Sequence, residues 1–285
     1  MYSEQVRRAK PGCIVLLIDR SDSMKRPWAG SRLTLAHGAA RAINNTVMEL
    51  ILRATMEEDE EPRRYFDIGL FGYGVRPIQG GEGVESAFGG RLAQRGIVPL
   101  PEVAANPLAI RKEPSPDVGG LPSEMPVWVE PVNGQRTPMC QAMAVAGSHI
   151  YDWAQKHPDS FPPIVINITD GLVTDEPYEG ADLAGWARRL ANIATRDGAT
   201  LLFNIYLSHE QAPTSWFPVT SAGLPRPVGT NLWDISSELP PPMVQNARDE
   251  GIDVQPGARG MVMNADLAAL TKFLAIGTTV EEAND

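Results

Sequence analysis

Ile14-Val-Leu-Leu-Ile-Asp19-Arg-Ser21-Asp-Ser23-Met24 is the stretch that decides the fold. A Pro-Gly pair leads into an unbroken apolar run, the run ends in one carboxylate, and two hydroxyls follow at alternate positions. An apolar run of this length without polar alternation reads as a buried parallel strand. In open α/β sheets, ligands bind outside the carboxyl ends of such strands. Asp19, Ser21 and Ser23 therefore stand where a ligand site is expected, and all three offer oxygen. Oxygen donors with few charges suit a hard cation such as Mg2+, which keeps several waters and takes one or two carboxylates.

Two later segments extend the pattern. Asn133-Gly-Gln-Arg-Thr137-Pro138 places a hydroxyl just ahead of a helical stretch, and Ile164-Val-Ile-Asn-Ile-Thr-Asp170-Gly171 is a second apolar strand ending in a carboxylate. Taken in order, the three segments resemble the metal-ion-dependent adhesion site of von Willebrand factor A (vWA) domains. The resemblance covers most of residues 10–280 and is loose around 121–128. It implies a doubly wound α/β fold, Rossmann-like, with a mostly parallel central sheet, helices on both faces and a long insertion. It also implies a metal set of Asp19, Ser21, Ser23, Thr137 and Asp170, holding Mg2+ or, in its place, Mn2+ or Ca2+. The hydroxyls would bind directly and the carboxylates partly through water, leaving one position open to an Asp or Glu of a protein partner.

The resemblance is to stand-alone bacterial members, including the tellurite-resistance type, which accompany a phosphatase and a kinase; others serve AAA+ ATPases. One departure is Asp22, where many members have Gly. Asp175 resembles a variant of the family's last loop, with loop capping as the competing role. Trp28 is either an apolar rim to the site or a packed core residue. Residue by residue, plainer readings stay open: Asp19 capping a loop, Ser21 and Ser23 forming turns, and Asp170-Gly171 as an ordinary turn.

Composition bounds the classes. The chain has 285 residues, 43% hydrophobic, with a net charge of −10 and a pI near 5.0. That balance argues against a nucleic-acid backbone or an anionic membrane as partner. Two cysteines, Cys13 and Cys140, make no disulfide framework and read as buried thiols. The start is polar and mixed in charge, and no apolar stretch reaches spanning length, so the expected location is cytoplasmic.

One vWA-like domain over 10–280 is expected, with insertions at about 79–136 and 208–238 and short extensions at 1–9 and 281–285. Helical spacing of apolar residues predicts a helix over 32–56, ending in the acidic run Glu57–Glu61, read as a solvated helix end. Further strands are expected over 66–73, 164–169, 200–207 and 259–263. Further helices are expected over 138–156 with Thr137 as N-cap, 181–196, 239–250, and 265–276 capped by Asn264 and stopped by Gly277. The Gly- and Pro-rich span 79–136 should hold at least one edge strand, because a structureless loop of that length is rare.

Enzyme motifs fail. The chain has no P-loop, no nucleophile elbow, and no His at the zinc-protease spacing after His209-Glu210, where Pro213 stands. Gly72-Tyr-Gly74 begins like a dinucleotide fingerprint, but Pro77 replaces its third glycine. A strand-end Asp nucleophile of the haloacid-dehalogenase kind needs an Asp two residues on, where Ser21 stands. The reading is therefore a binding module without catalytic residues; the alternative is a metal-dependent hydrolase or phosphatase using the same cation.

Overall fold

All eight residues of β1 (Gly12–Asp19) are buried, and their alternation divides the core in two. Ile14, Leu16 and Ile18 join one apolar cluster, whereas Cys13, Val15 and Leu17 join another. A strand buried on both faces needs helices on both faces, which is why the run shows no polar alternation. The computed structural model describes residues 2–56, 61–75, 83–114 and 122–278.

After β1 come α1 (Leu35–Arg53), β2 (Phe66–Tyr73), β3 (Val84–Ser86), β4 (Ile97–Pro99) and α2 (Leu100–Ala105). A hairpin of β5 (Ala109–Pro114) and β6 (Pro122–Val127) leads to α3 (Met139–Lys156) and β7 (Ile164–Thr169). Then follow α4 (Leu183–Ala191), a small hairpin of β8 (Ala194–Thr195) and β9 (Gly198–Ala199), β10 (Leu201–Leu207) and β11 (Ser215–Trp216). The chain closes with α5 (Val228–Ile235), α6 (Pro241–Asp249), β12 (Met261–Ala265) and α7 (Leu267–Thr278).

The central sheet runs β11-β12-β10-β7-β1-β2-β3, with β4 also on β2. β12, β10, β7, β1 and β2 are mutually parallel, and the edge strands β3, β4 and β11 are antiparallel to their neighbours. The first apolar cluster lies under α1, α6 and α7, and the second under α3, α4 and α5. This is the doubly wound, mostly parallel α/β fold. β1 winds through α1 to β2 on one side, while β7 and β10 lie on the other, so the order reverses between β1 and β7. That crevice is where such sheets bind ligands.

Several local expectations are corrected. α3 begins at Met139 with Pro138 at the N-cap position, and Thr137 does not cap it. Asp175 does so instead, accepting from the Cys140 and Gln141 amides at 3.2 and 2.8 Å. Its carboxylate complements the positive end of the helix. Asn264 does not cap α7: its backbone is left-handed (φ 55°), and its side chain donates to the Pro213 carbonyl. Asp266 takes the Ala269 amide at 2.7 Å, and the helix continues through Gly277 to Thr278. The helix expected over 181–196 stops at Ala191, and β8–β9 occupies its end. The span 208–238, expected as an insertion, holds β11 and α5, which leaves that expectation as it stands.

The span 79–136 contributes β3 and β4, which cover the outer edge of β2, and the β5–β6 hairpin. Ahead of β1, the Tyr2 amide bonds the Asp197 carbonyl and Val6 is fully buried. Of the acidic run, residues 57–60 fall outside the described residues. Among the described residues no helix is long and apolar enough to cross a membrane.

Candidate metal centre

Asp19 ends β1 and Asp170 follows β7, so the parallel pairing of these neighbours brings two carboxylates to one crevice. Asp19 is 1% exposed. Its Oδ1 accepts from the Ser21 amide at 2.8 Å, and its Oδ2 accepts from Thr169 Oγ1 at 2.6 Å. The first contact folds the chain back on itself in an Asx-type turn, so that both serine side chains return towards the strand end. Ser21 Oγ and Ser23 Oγ are 2.9 Å apart, and Ser23 Oγ donates to Asp170 Oδ1 at 2.6 Å.

Thr137 arrives on a loop held at both ends. The Gln135 amide donates to the Gly74 carbonyl at 2.8 Å. Gly74 has φ +103°, and a Cβ there would lie 2.4 Å from the Arg136 carbonyl oxygen, so the close approach requires glycine. On the other side, the Thr137 amide donates to Thr174 Oγ1 at 2.9 Å, and the Thr174 amide returns a bond to the Thr137 carbonyl at 3.0 Å. Thr137 Oγ1 has no hydrogen-bond partner among the described residues. The glycines of Gly72-Tyr-Gly74 thus serve packing: Gly72 leaves room for the Arg20 guanidinium, whose Nε would lie 2.6 Å from a Cβ.

Gly171 gives the measure of how these groups converge. A Cβ on its backbone would stand 3.3 Å from Thr137 Oγ1, 3.8 Å from Asp19 Oδ2 and 3.8 Å from Ser23 Oγ. Oxygens from two segments distant in sequence, 19–23 and 137, therefore face one point beside a residue without a side chain. Asp170 and Ser21 join through Ser23. All five sequence-derived candidates (Asp19, Ser21, Ser23, Thr137 and Asp170) occupy this one crevice.

The electrostatics are those of an unneutralised pair. Burial, then the neighbouring Asp170, pushes the Asp19 carboxyl up to about 7, against the hydrogen bonds from Thr169 and Ser21. Burial also raises Asp170, opposed by Ser23 and by nearby Arg26 and His209. Among the described residues, no ion pair engages either carboxylate. Asp170 Oδ2 is buried without a hydrogen-bond partner. A buried carboxylate oxygen left unpaired is costly unless a cation faces it.

The donor set, two carboxylates and three hydroxyls, fits a hard divalent ion. Among the described residues there is no cluster of three or more His, Cys, Asp or Glu with metal-holding geometry. The hydroxyls would therefore have to complete any coordination, a set that suits Mg2+ or Mn2+ better than zinc.

Neighbouring residues resolve differently from one another. Asp22 points to solvent and pairs with Lys25 at 2.7 Å, away from the crevice. Trp28 is core: it is 1% exposed, donates to the Ala265 carbonyl at 2.9 Å and packs its ring against Gly38. Thr169 was not singled out from sequence, because it reads as the last apolar-face residue of a strand. Its hydroxyl both orients Asp19 and accepts the Gly171 amide at 3.1 Å.

No family model matches the chain, and no curated protein matches it. Among solved structures, it is similar to the pilus adhesin SpaC from Lactobacillus rhamnosus GG, at 13% identity and a TM-score of 0.47, over 95% of this chain and 30% of that one. It is also similar to the manganese-loaded Plasmodium vivax TRAP protein, at 14% identity and a TM-score of 0.35, over 70% of this chain and 58% of that one. The chain thus spans less than two thirds of either, and likenesses this distant assign no family.

Proposed function

We propose that this chain is a divalent-cation-dependent protein-interaction module. In this reading Ser21, Ser23 and Thr137 hold Mg2+, with Asp19 and Asp170 bonded to it or to its waters. The observation that carries it is the convergence of Asp19, Ser23 and Thr137 oxygens beside Gly171, next to the unpartnered Asp170 Oδ2. When bound, the cation supplies an electrophilic position for a carboxylate from a partner protein, a charge-assisted contact stronger than a neutral hydrogen bond. The chain's own part is positional. Thr169 and the Ser21 amide fix Asp19, Thr174 and Gly74 fix the Thr137 loop, and Gly171 leaves the approach clear. The sequence resemblance to vWA domains supports the same reading, including a bacterial, cytoplasmic setting and a partner among phosphatase, kinase or AAA+ proteins.

The test uses acetate as a carboxylate probe on protein loaded with Mn2+. Proton relaxation of acetate should accelerate with wild type and fall to the level of free Mn2+ waters in Thr137→Ala at matched folding. Acceleration unchanged by Thr137→Ala contradicts the assignment. Turnover of a generic phosphoester that disappears in Asp19→Ala would move the reading to a metal-dependent hydrolase.

A further inference from the structure

At the opposite end of the sheet from the metal crevice, a cleft of about 380 Å3 is lined by Arg7, Lys10, Lys156, His157, Asp159 and Ser160, with Ala9 and Pro158. In a chain of net charge −10, this is a local excess of cations. We propose that this cleft binds a phosphate-bearing small molecule, a function separate from the metal crevice.

The first support is the way the cations are held together. Arg7 and Lys10 exchange both backbone hydrogen bonds, at 3.2 and 2.9 Å, across the two-residue turn Arg8-Ala9. Residues paired this way project to the same side, and like charges in that relation are destabilising. Glu4 is their internal counter-ion, 2.7 Å from Lys10 Nζ and 3.5 Å from Arg7. One carboxylate against Arg7, Lys10 and Lys156 leaves the cleft positive. The other acids nearby are already engaged: Asp159 by Arg196, Asp197 by the Ser3 and Glu4 amides at 2.9 and 3.0 Å, and Asp67 by Arg64 at 2.7 Å and by Trp153 Nε1 at 2.8 Å.

Ser160 is the second support. It lines the cleft and is 1% exposed. A hydroxyl residue in the wall of a cationic cleft offers a donor to an anionic oxygen. The backbone under it is fixed, since the Ser160 amide bonds the His157 carbonyl at 3.2 Å and the Pro158 carbonyl accepts from the Arg196 amide at 2.8 Å. His157 stacks on Trp153 with ring centres 4.8 Å apart. Burial, and beyond it the charges of Arg64 and Lys156, lowers its pKa against the pull of Asp67, whose Oδ2 is 3.9 Å from His157 Nε2. Three cationic side chains and a hydroxyl residue lining one cleft make a site for a tetrahedral oxyanion. Among the described residues, no Phe, Tyr or Trp lines the cleft.

Backbone amide spectra are recorded in EDTA, so that the metal crevice plays no part, while inorganic phosphate or glycerol phosphate is added at constant ionic strength. The proposal expects saturable shifts at His157 and Ser160 with both probes. Lys156→Ala and Ser160→Ala should each weaken binding by about 3- to 10-fold, the scale of one charge-assisted hydrogen bond at a partly solvated site. Glu4→Gln, which releases Arg7 and Lys10, should tighten binding, a gain that damaged folding would not produce. Shifts that fail to saturate, or binding unchanged in Lys156→Ala and Glu4→Gln, would overturn the proposal.

Discussion

Replacing Asp19 by Asn should make the metal-free protein more stable at alkaline pH while removing its response to Mg2+. The Asp19 carboxyl is 1% exposed and is raised from 3.8 to about 7, by burial first and by Asp170 second. A carboxyl raised on folding binds more protons in the native state than in the unfolded one between those two values. Native stability must then fall as pH rises through that window, and be fully retained only below the unfolded value. At about 1.4 kcal/mol per pH unit, the span from pH 5 to pH 8 corresponds to a loss of about 3 kcal/mol. Asn cannot ionise and lacks this slope. It does misdirect one of the two hydrogen bonds from Ser21 and Thr169, at a pH-independent cost of about 1–3 kcal/mol. The assay is urea unfolding in EDTA at pH 5, 6, 7 and 8. The stability of wild type minus that of Asp19→Asn should decline by about 3 kcal/mol across the series. Saturating Mg2+ at pH 8 should restore most of that decline in wild type alone. His157, whose pKa is lowered, contributes with the opposite sign at acid pH, but it is common to both proteins and cancels. Parallel curves for the two proteins would refute the reasoning.

Gly171→Ala places a methyl group within 3.3–3.8 Å of Thr137, Asp19 and Ser23 oxygens. Near-normal thermal unfolding with Mg2+ affinity reduced at least ~10-fold by calorimetry is expected, because Mg2+ demands near-ideal octahedral geometry. Thr169→Val keeps the shape of the side chain but removes the donor to Asp19 Oδ2 and the acceptor for the Gly171 amide. Metal affinity should drop ~10–100-fold, the usual effect of losing an outer partner of a ligand, with Thr169→Ser largely restoring it. Gly38→Ala would bring a Cβ to 1.9 Å from the Trp28 ring, which is buried and tied to Ala265. The clash should outweigh the gain in helix propensity of up to ~1 kcal/mol, for a net loss of ~1–3 kcal/mol by urea unfolding.

What could be read from sequence was what local pattern determines. β2 over 66–73 and β7 over 164–169 are bounded as the apolar runs predict, because strands buried on both faces are almost wholly apolar; their exceptions, Asp67 and Asn167, are hydrogen-bonded within the core. The crevice residues of Asp19, Ser21 and Ser23 were legible for the same reason, as the first oxygens after such a run. An edge strand within 79–136 was expected, but the bounds of β3 and β4 were not legible, since three-residue strands are fixed by pairing with β2 rather than by their own periodicity. Capping failed wherever the partner came from afar. Asp175 reaches the start of α3 from a loop 35 residues on, while Thr137, adjacent in sequence, turns its hydroxyl to the crevice. Asn264 sits where a cap is expected, but its left-handed backbone directs it to Pro213. Thr169 was hidden by position: on a buried strand its methyl group satisfies the apolar pattern, and only the parallel register beside β1 shows its hydroxyl meeting Asp19.

Crystals grown in MnCl2 and measured at the manganese absorption edge test the central claim most directly. The account predicts one anomalous peak in the crevice, bounded by Ser21, Ser23, Thr137, Asp19 and Asp170 and lost in Gly171→Ala crystals. An empty crevice at millimolar manganese, with the Ser23–Asp170 hydrogen bond intact, would contradict it.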